Sequence, residues 1–112
     1  MAKKQEPSGQ DPEIMRLSAL VEYQPGSVVS RTLIKKEKGT LTLFAFDAGE
    51  SLSEHTAPFD ALVYIIDGVA DITIEKKSYQ LSAGEALILP ANRPHAVKAT
   101  QQFKMLLTMI RS

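Results

Sequence analysis

After Gly26 the chain is cut into short runs of β-branched and aromatic residues, and no stretch between its turns is long enough for an ordinary helix. The runs are Val28–Ile34, Thr40–Asp47, Leu62–Ile66, Val69–Glu75, Tyr79–Leu81, Ala86–Leu89, His95–Lys98 and Phe103–Ile110. Strands this short, punctuated by glycine, proline or charged residues, indicate an all-β sandwich or barrel. Asp67–Gly68 lies between two apolar runs and predicts a hairpin, because glycine accepts the positive φ that a tight turn demands. Glu75–Ser78 and Ser82–Glu85 read as further turns, so the expected path is a meander of hairpins.

Ahead of this region, Ile14, Leu17, Leu20 and Val21 recur at helical spacing, and a short helix or turn is expected between Glu13 and the stop at Pro25–Gly26. Residues 1–12 are polar and broken by Pro7, Gly9 and Pro12, which reads as a frayed leader before a single domain over 13–112. A chain of 112 residues has room for one core. Thirteen basic residues balance 13 acidic ones, so no net field draws the protein to nucleic acid or to an anionic membrane. Neither partner is expected. The absence of cysteine removes disulfides, thiolate metal sites and cysteine nucleophiles. No apolar run approaches the roughly 20 residues of a membrane span, and the start lacks the apolar core of a signal peptide, so a cytoplasmic location is the expectation. Phosphate loops, serine nucleophile elbows and zinc-protease helices are missing.

The residues with chemical potential fall in two glycine-led segments. The first runs from Gly49 through His55, Ala57 and Ala61 to Gly68, and the second from Gly84 through Pro90, Asn92 and Arg93 to His95 and Ala99. This pattern resembles the cupin family. Gly49, His55, Gly68, Gly84, Pro90 and His95 stand in register with the family's two motifs, without a gap. Four positions depart from them. Ala57 stands where the motif has its second histidine, Ala61 where it has glutamate, Asn92 where it has an inner glycine, and Ala99 where it has the closing asparagine.

The resemblance covers roughly Ser30 to Ile110 and implies a double-stranded β-helix, the jelly-roll barrel of cupins, with a short N-terminal helix or turn. In the family, three histidines and a glutamate converge inside the barrel on a divalent ion such as zinc, iron, manganese or nickel. Here His55 and His95 are the metal-ligand candidates that survive. A catalytic zinc site normally takes three protein ligands, and iron oxygenases typically use two histidines and a carboxylate. Glu54 and Asp60 are the nearest further donors, but each neighbours an inward position and points away on a regular strand.

Exchanging a histidine and a glutamate for alanines makes the expected pocket larger and more apolar. His55, Ala57, Ala61, Val63, Ile65, His95 and Met105 are its predicted lining, with Phe44 or Phe46, Leu107 and Met109 as neighbours. The methionines equally read as filling for a half-buried terminal strand, and Arg93 either reaches a ligand at the barrel mouth or stays solvated. Three functions are compatible with this pattern. The first is a small-molecule-binding barrel of unspecified ligand, with no catalytic activity assigned to it. The second is a metal-dependent enzyme of dioxygenase or isomerase type on the two histidines. The third is an interaction module. As related barrels commonly pair, the face carrying Leu62, Tyr64 and Ile66 is expected to pack in a homodimer, with Val28–Ile34 free to join the partner's sheet.

Overall fold

The computed structural model describes residues 11–111. Eight strands dominate them: β1 (Val28–Lys36), β2 (Gly39–Phe46), β3 (Ser51–His55), β4 (Asp60–Ile74), β5 (Lys77–Ser82), β6 (Ala86–Leu89), β7 (His95–Lys98) and β8 (Phe103–Ile110). All pairings are antiparallel. The first sheet runs β1-β2-β8-β4-β6, and the second runs β3-β7-β4-β5. Spatial neighbours are therefore mostly distant in sequence, as in a jelly roll, and the expected meander is corrected on this point. Among the described residues no helix is long and apolar enough to cross a membrane.

The expected hairpin at Asp67–Gly68 is absent. One strand of 15 residues, β4, runs straight through it. Residues up to Gly68 pair with β8 in the first sheet, and Val69 onward pairs with β5 in the second. Gly68 has φ +79° beside a register shift between Ile65 and Asp67, so its positive φ serves a bulge and bend that carries the strand from one sheet to the other. A hairpin and such a bulge make the same local demand on glycine, and the pattern of the sequence does not separate them.

The helix-like spacing before Pro25 yields only a 3₁₀ turn, Leu17–Ala19. Tertiary packing overrides the periodicity. Leu17, Leu20 and Val21 lie on the outer face of the first sheet, against Leu43, Ala45, Ile66 and Leu106. A one-turn nucleus has too few hydrogen bonds to grow without that contact. Two polar contacts fix the segment: the Tyr23 hydroxyl donates to Asp67 Oδ2 at 2.5 Å, and Lys104 Nζ donates to the Ser18 carbonyl at 2.6 Å. Lys104 also stands over the Tyr23 ring, 4.9 Å from its centroid.

The main core fills the space between the sheets. β4 alternates so that Ala61, Val63, Ile65, Ala70, Ile72 and Ile74 face inward. Phe46 and Phe103 stack at 4.5 Å between ring centroids and are fully buried. On the outer face of β4, Leu62 and Tyr64 remain exposed, while Ile66 is covered by the N-terminal segment.

Candidate functional site

His55 closes β3 and His95 opens β7, and the two are direct cross-strand partners. Their imidazoles meet edge to face, with ring centroids 4.3 Å apart and Nε2 atoms 3.1 Å apart. Each Nδ1 is placed to donate to a backbone carbonyl: His55 to Ser53 at 2.9 Å, and His95 to Arg93 at 3.3 Å. With both δ hydrogens so used, the two Nε2 lone pairs face one another, and one ring must carry hydrogen on Nε2 for the contact to be a bond. His95 is 7% exposed, whereas His55 is open to solvent. Burial, reinforced by the neighbouring His55 ring, holds His95 below the ordinary imidazole range.

The turn before His95 is heavily fastened. Asn92 takes φ +63° and donates its N–H to the Ala57 carbonyl at 2.7 Å. Ala91 N–H donates to Asp60 Oδ1 at 2.8 Å. Arg93 donates through Nε and Nη2 to Glu75 Oε1, at 3.1 and 2.7 Å, and the Glu75 N–H donates to the Pro94 carbonyl at 2.7 Å. Two sequence candidates are explained by these bonds. Asp60 is an anchor for the loop, and Arg93 pairs with Glu75 in a half-exposed ion pair that aims the following strand.

The pair register decides where the other candidates stand. Ala61 sits opposite Leu89 and Met109, Val63 opposite Leu87 and Leu107, and Ile65 opposite Met105, all on the inner face of the first sheet. His95 and Val97 belong to the inner face of the second. Val63, Ile65 and Met105 are fully buried within the continuous core. Ala61, at 9% exposure, lies nearer the opening, and Ala57 is half-buried in the loop after β3. Around these, Phe44, Leu87, Leu107 and Met109 are packed against the core but only partly buried. The sequence reading passed over Thr40. Its hydroxyl is buried without a hydrogen-bond partner, and the residue pairs with Met109 on the same inner face. The alternation in Thr40-Leu41-Thr42-Leu43 points the leucines rather than the threonines inward, so the sequence carries no signal for Thr40.

The donor set does not suit a metal. Two imidazoles converge, but among the described residues no group of three His, Cys, Asp or Glu side chains comes together. Asp60 is engaged by Ala91, and alanines occupy positions 57 and 61. Two protein ligands fall short of the three that catalytic zinc and non-haem iron centres use.

A family model described as "Cupin domain" matches residues 42–111. The chain belongs to the cupin family. Solved structures agree over most of the chain. A conserved protein of unknown function from Streptococcus pyogenes is 32% identical, with a TM-score of 0.87, over 92% of this chain and 90% of that one. A cupin superfamily protein from Desulfitobacterium hafniense is 30% identical, with a TM-score of 0.86, over 92% and 94%. A cupin 2 conserved barrel domain protein from Leptotrichia buccalis is 43% identical, with a TM-score of 0.81, over 84% of this chain and 46% of that one. A comparison with curated proteins gave no match. Within this cupin, the glycines, Pro90 and the two histidines of the family pattern are kept, while two of its four ligand positions carry methyl groups.

Proposed function

We propose that this cupin is a small-molecule-binding barrel that works without a resident metal, taking a compact, largely apolar ligand with one polar group. The polar end of the site is the His55–His95 pair, and the walls are the half-buried Phe44, Leu87, Leu107 and Met109. The observation that carries this reading is the pairing of the two converging imidazoles with alanine at 57 and 61. A methyl group there offers a ligand space and apolar contact where a carboxylate offers a metal charge. The partnerless Thr40 hydroxyl on the inner face adds a hydrogen-bonding group available to a bound molecule or a water.

One observation favours a metal-dependent reading: both histidines use Nδ1 on backbone carbonyls, as metal-bound histidines do, and turn their Nε2 atoms towards one another. The donor count opposes it. Elemental analysis of protein purified without chelator, alongside His55→Ala and His95→Ala, separates the two. The binding-barrel reading expects less than stoichiometric metal in all three. Stoichiometric metal in the parent, lost in either variant, overturns it.

A further inference from the structure

β1 carries a lysine on the inner face of the barrel, and a bulge puts it there. From Val28 to Thr32 the strand alternates regularly against β2, with Val28 opposite Phe46, Ser30 opposite Phe44 and Thr32 opposite Thr42 on the inner face. The register then shifts between Thr32 and Ile34. Leu33 packs on the outer cluster and Ile34 stands opposite Leu41 on that same face, so two successive side chains point out and Lys35 is turned in, opposite Thr40. An unbroken alternation would have sent Lys35 to the outside.

The row that Lys35 heads crosses the inner face of the first sheet as Lys35, Thr40, Met109, Ala61 and Leu89. Its β1–β2 end is polar and the rest is apolar. Thr40 Oγ1 is buried with no hydrogen-bond partner. Lys35 is exposed, and among the described residues it takes part in no ion pair. One row further in, the Thr32 and Thr42 hydroxyls lie 3.4 Å apart. The unmet groups at this end share a need: an ammonium offers only hydrogens, and a hydroxyl without an acceptor has one to give. A carboxylate answers both, since it only accepts, does so through two oxygens, and brings the charge that Lys35 lacks beside it.

We propose that Lys35 and Thr40 form a carboxylate subsite, and that the ligand of the barrel is an organic acid whose apolar body lies over Met109 and Ala61. This inference rests on the reading of the barrel as a binding site and adds a second polar end to it, since His55 and His95 belong to the other sheet. From β2 across β8 to β4 is two strand spacings, roughly 10 Å, which the hydrocarbon of the acid covers. The two donors divide the work. Lys35, at the solvent edge, supplies the charge that selects an anion. Thr40, buried, supplies a directional bond that fixes how the carboxylate lies.

Titration of the full chain with hexanoate, hexanol and hexylamine, followed through its amide and imidazole resonances, tests this. The variants are Lys35→Gln, Thr40→Val and, as a control on the opposite face of β1, Lys36→Gln. The parent is expected to bind hexanoate about tenfold more tightly than hexanol, and hexylamine more weakly than either. Lys35→Gln is expected to abolish the preference for the acid, and Lys36→Gln, which removes the same charge from the outer face, to keep it. Thr40→Val is expected to weaken hexanoate about fivefold while leaving urea stability undiminished, because the hydroxyl it removes has no partner in the fold. Hexanol binding as tightly as hexanoate overturns the carboxylate subsite and leaves the binding-barrel reading standing. Binding of neither overturns both. Equal losses in the two lysine variants overturn the role of Lys35, and an unchanged hexanoate affinity in Thr40→Val overturns that of Thr40.

Discussion

Gly68→Ala offers the sharpest test of how β4 turns from one sheet into the other. A Cβ on Gly68 would stand 2.1 Å from the Gln102 carbonyl oxygen, 2.9 Å from Phe103 Cα and 3.0 Å from Phe103 Cβ. The first two contacts are backbone, and no rotamer change relieves them. The residue also sits at φ +79°, where an L side chain costs about 1–2 kcal/mol. Separating β4 from β8 adds an overpacking cost of about 1–3 kcal/mol and weakens at least one ladder hydrogen bond worth about 1 kcal/mol. The displaced residue, Phe103, is fully buried and stacked on Phe46, so the disturbance reaches the core. The smaller unfolded-state entropy of alanine offsets roughly 0.5–1 kcal/mol. The sum is a loss of roughly 2–5 kcal/mol, or about 1–2.5 M urea at a slope near 2 kcal/mol/M. Gly84→Ala is the matched control: its φ is +92°, but nothing lies within 4 Å of the added methyl. It is expected to lose only the backbone cost of about 1–2 kcal/mol, offset by the same roughly 0.5–1 kcal/mol. Urea unfolding of both variants decides the matter. Equal losses at the two glycines would refute the account of Gly68 as a close-approach position.

Four further outcomes are expected. Because His95 titrates below its ordinary value of 6.5 in the fold, the unfolded chain takes up its proton first on acidification. Stability is therefore full above 6.5, falls as pH drops from there towards the lowered folded value, and levels off below it; His95→Gln removes that slope in pH-dependent thermal unfolding. Tyr23→Phe deletes the bond to Asp67 and is expected to speed trypsin cleavage after Arg16 by several-fold, with little change in the barrel's far-ultraviolet spectrum. Ile72→Ala, at a fully buried position, costs about 2–5 kcal/mol in urea unfolding. Arg93→Ala breaks a half-exposed pair and costs no more than about 1 kcal/mol, yet is expected to shift the His95 ring resonances, since the turn it fastens precedes that residue.

The all-β class and most strands were legible because alternation of apolar residues is a local property that survives into the fold, as in Phe103–Ile110. The two histidines and the two alanines were legible through the spacing of the family pattern. What escaped depends on pairings between distant residues. Asp67–Gly68 carries a turn signal, yet the competing pairings of β4 with β8, β7 and β5 draw the chain straight through. β3 is short and polar in Ser51-Leu52-Ser53-Glu54-His55, and its strand character comes from pairing with β7. Asp60 is expected from strand alternation to point away from the site, and Arg93 either to reach a ligand or to stay solvated; only the folded loop reveals Ala91 and Glu75 as their partners. Thr40 gave no warning because an orphan hydroxyl is defined by its surroundings.

A strand that belongs to both sheets has a mechanical consequence. β4 is hydrogen-bonded to β8 and β6 along its first half and to β5 and β7 along its second, so neither layer of the barrel can come apart while the other stays intact. Melting should spread through the whole scaffold as a single event, with amides at the two extremities of this shared rib exchanging with deuterium at one common, slowest rate.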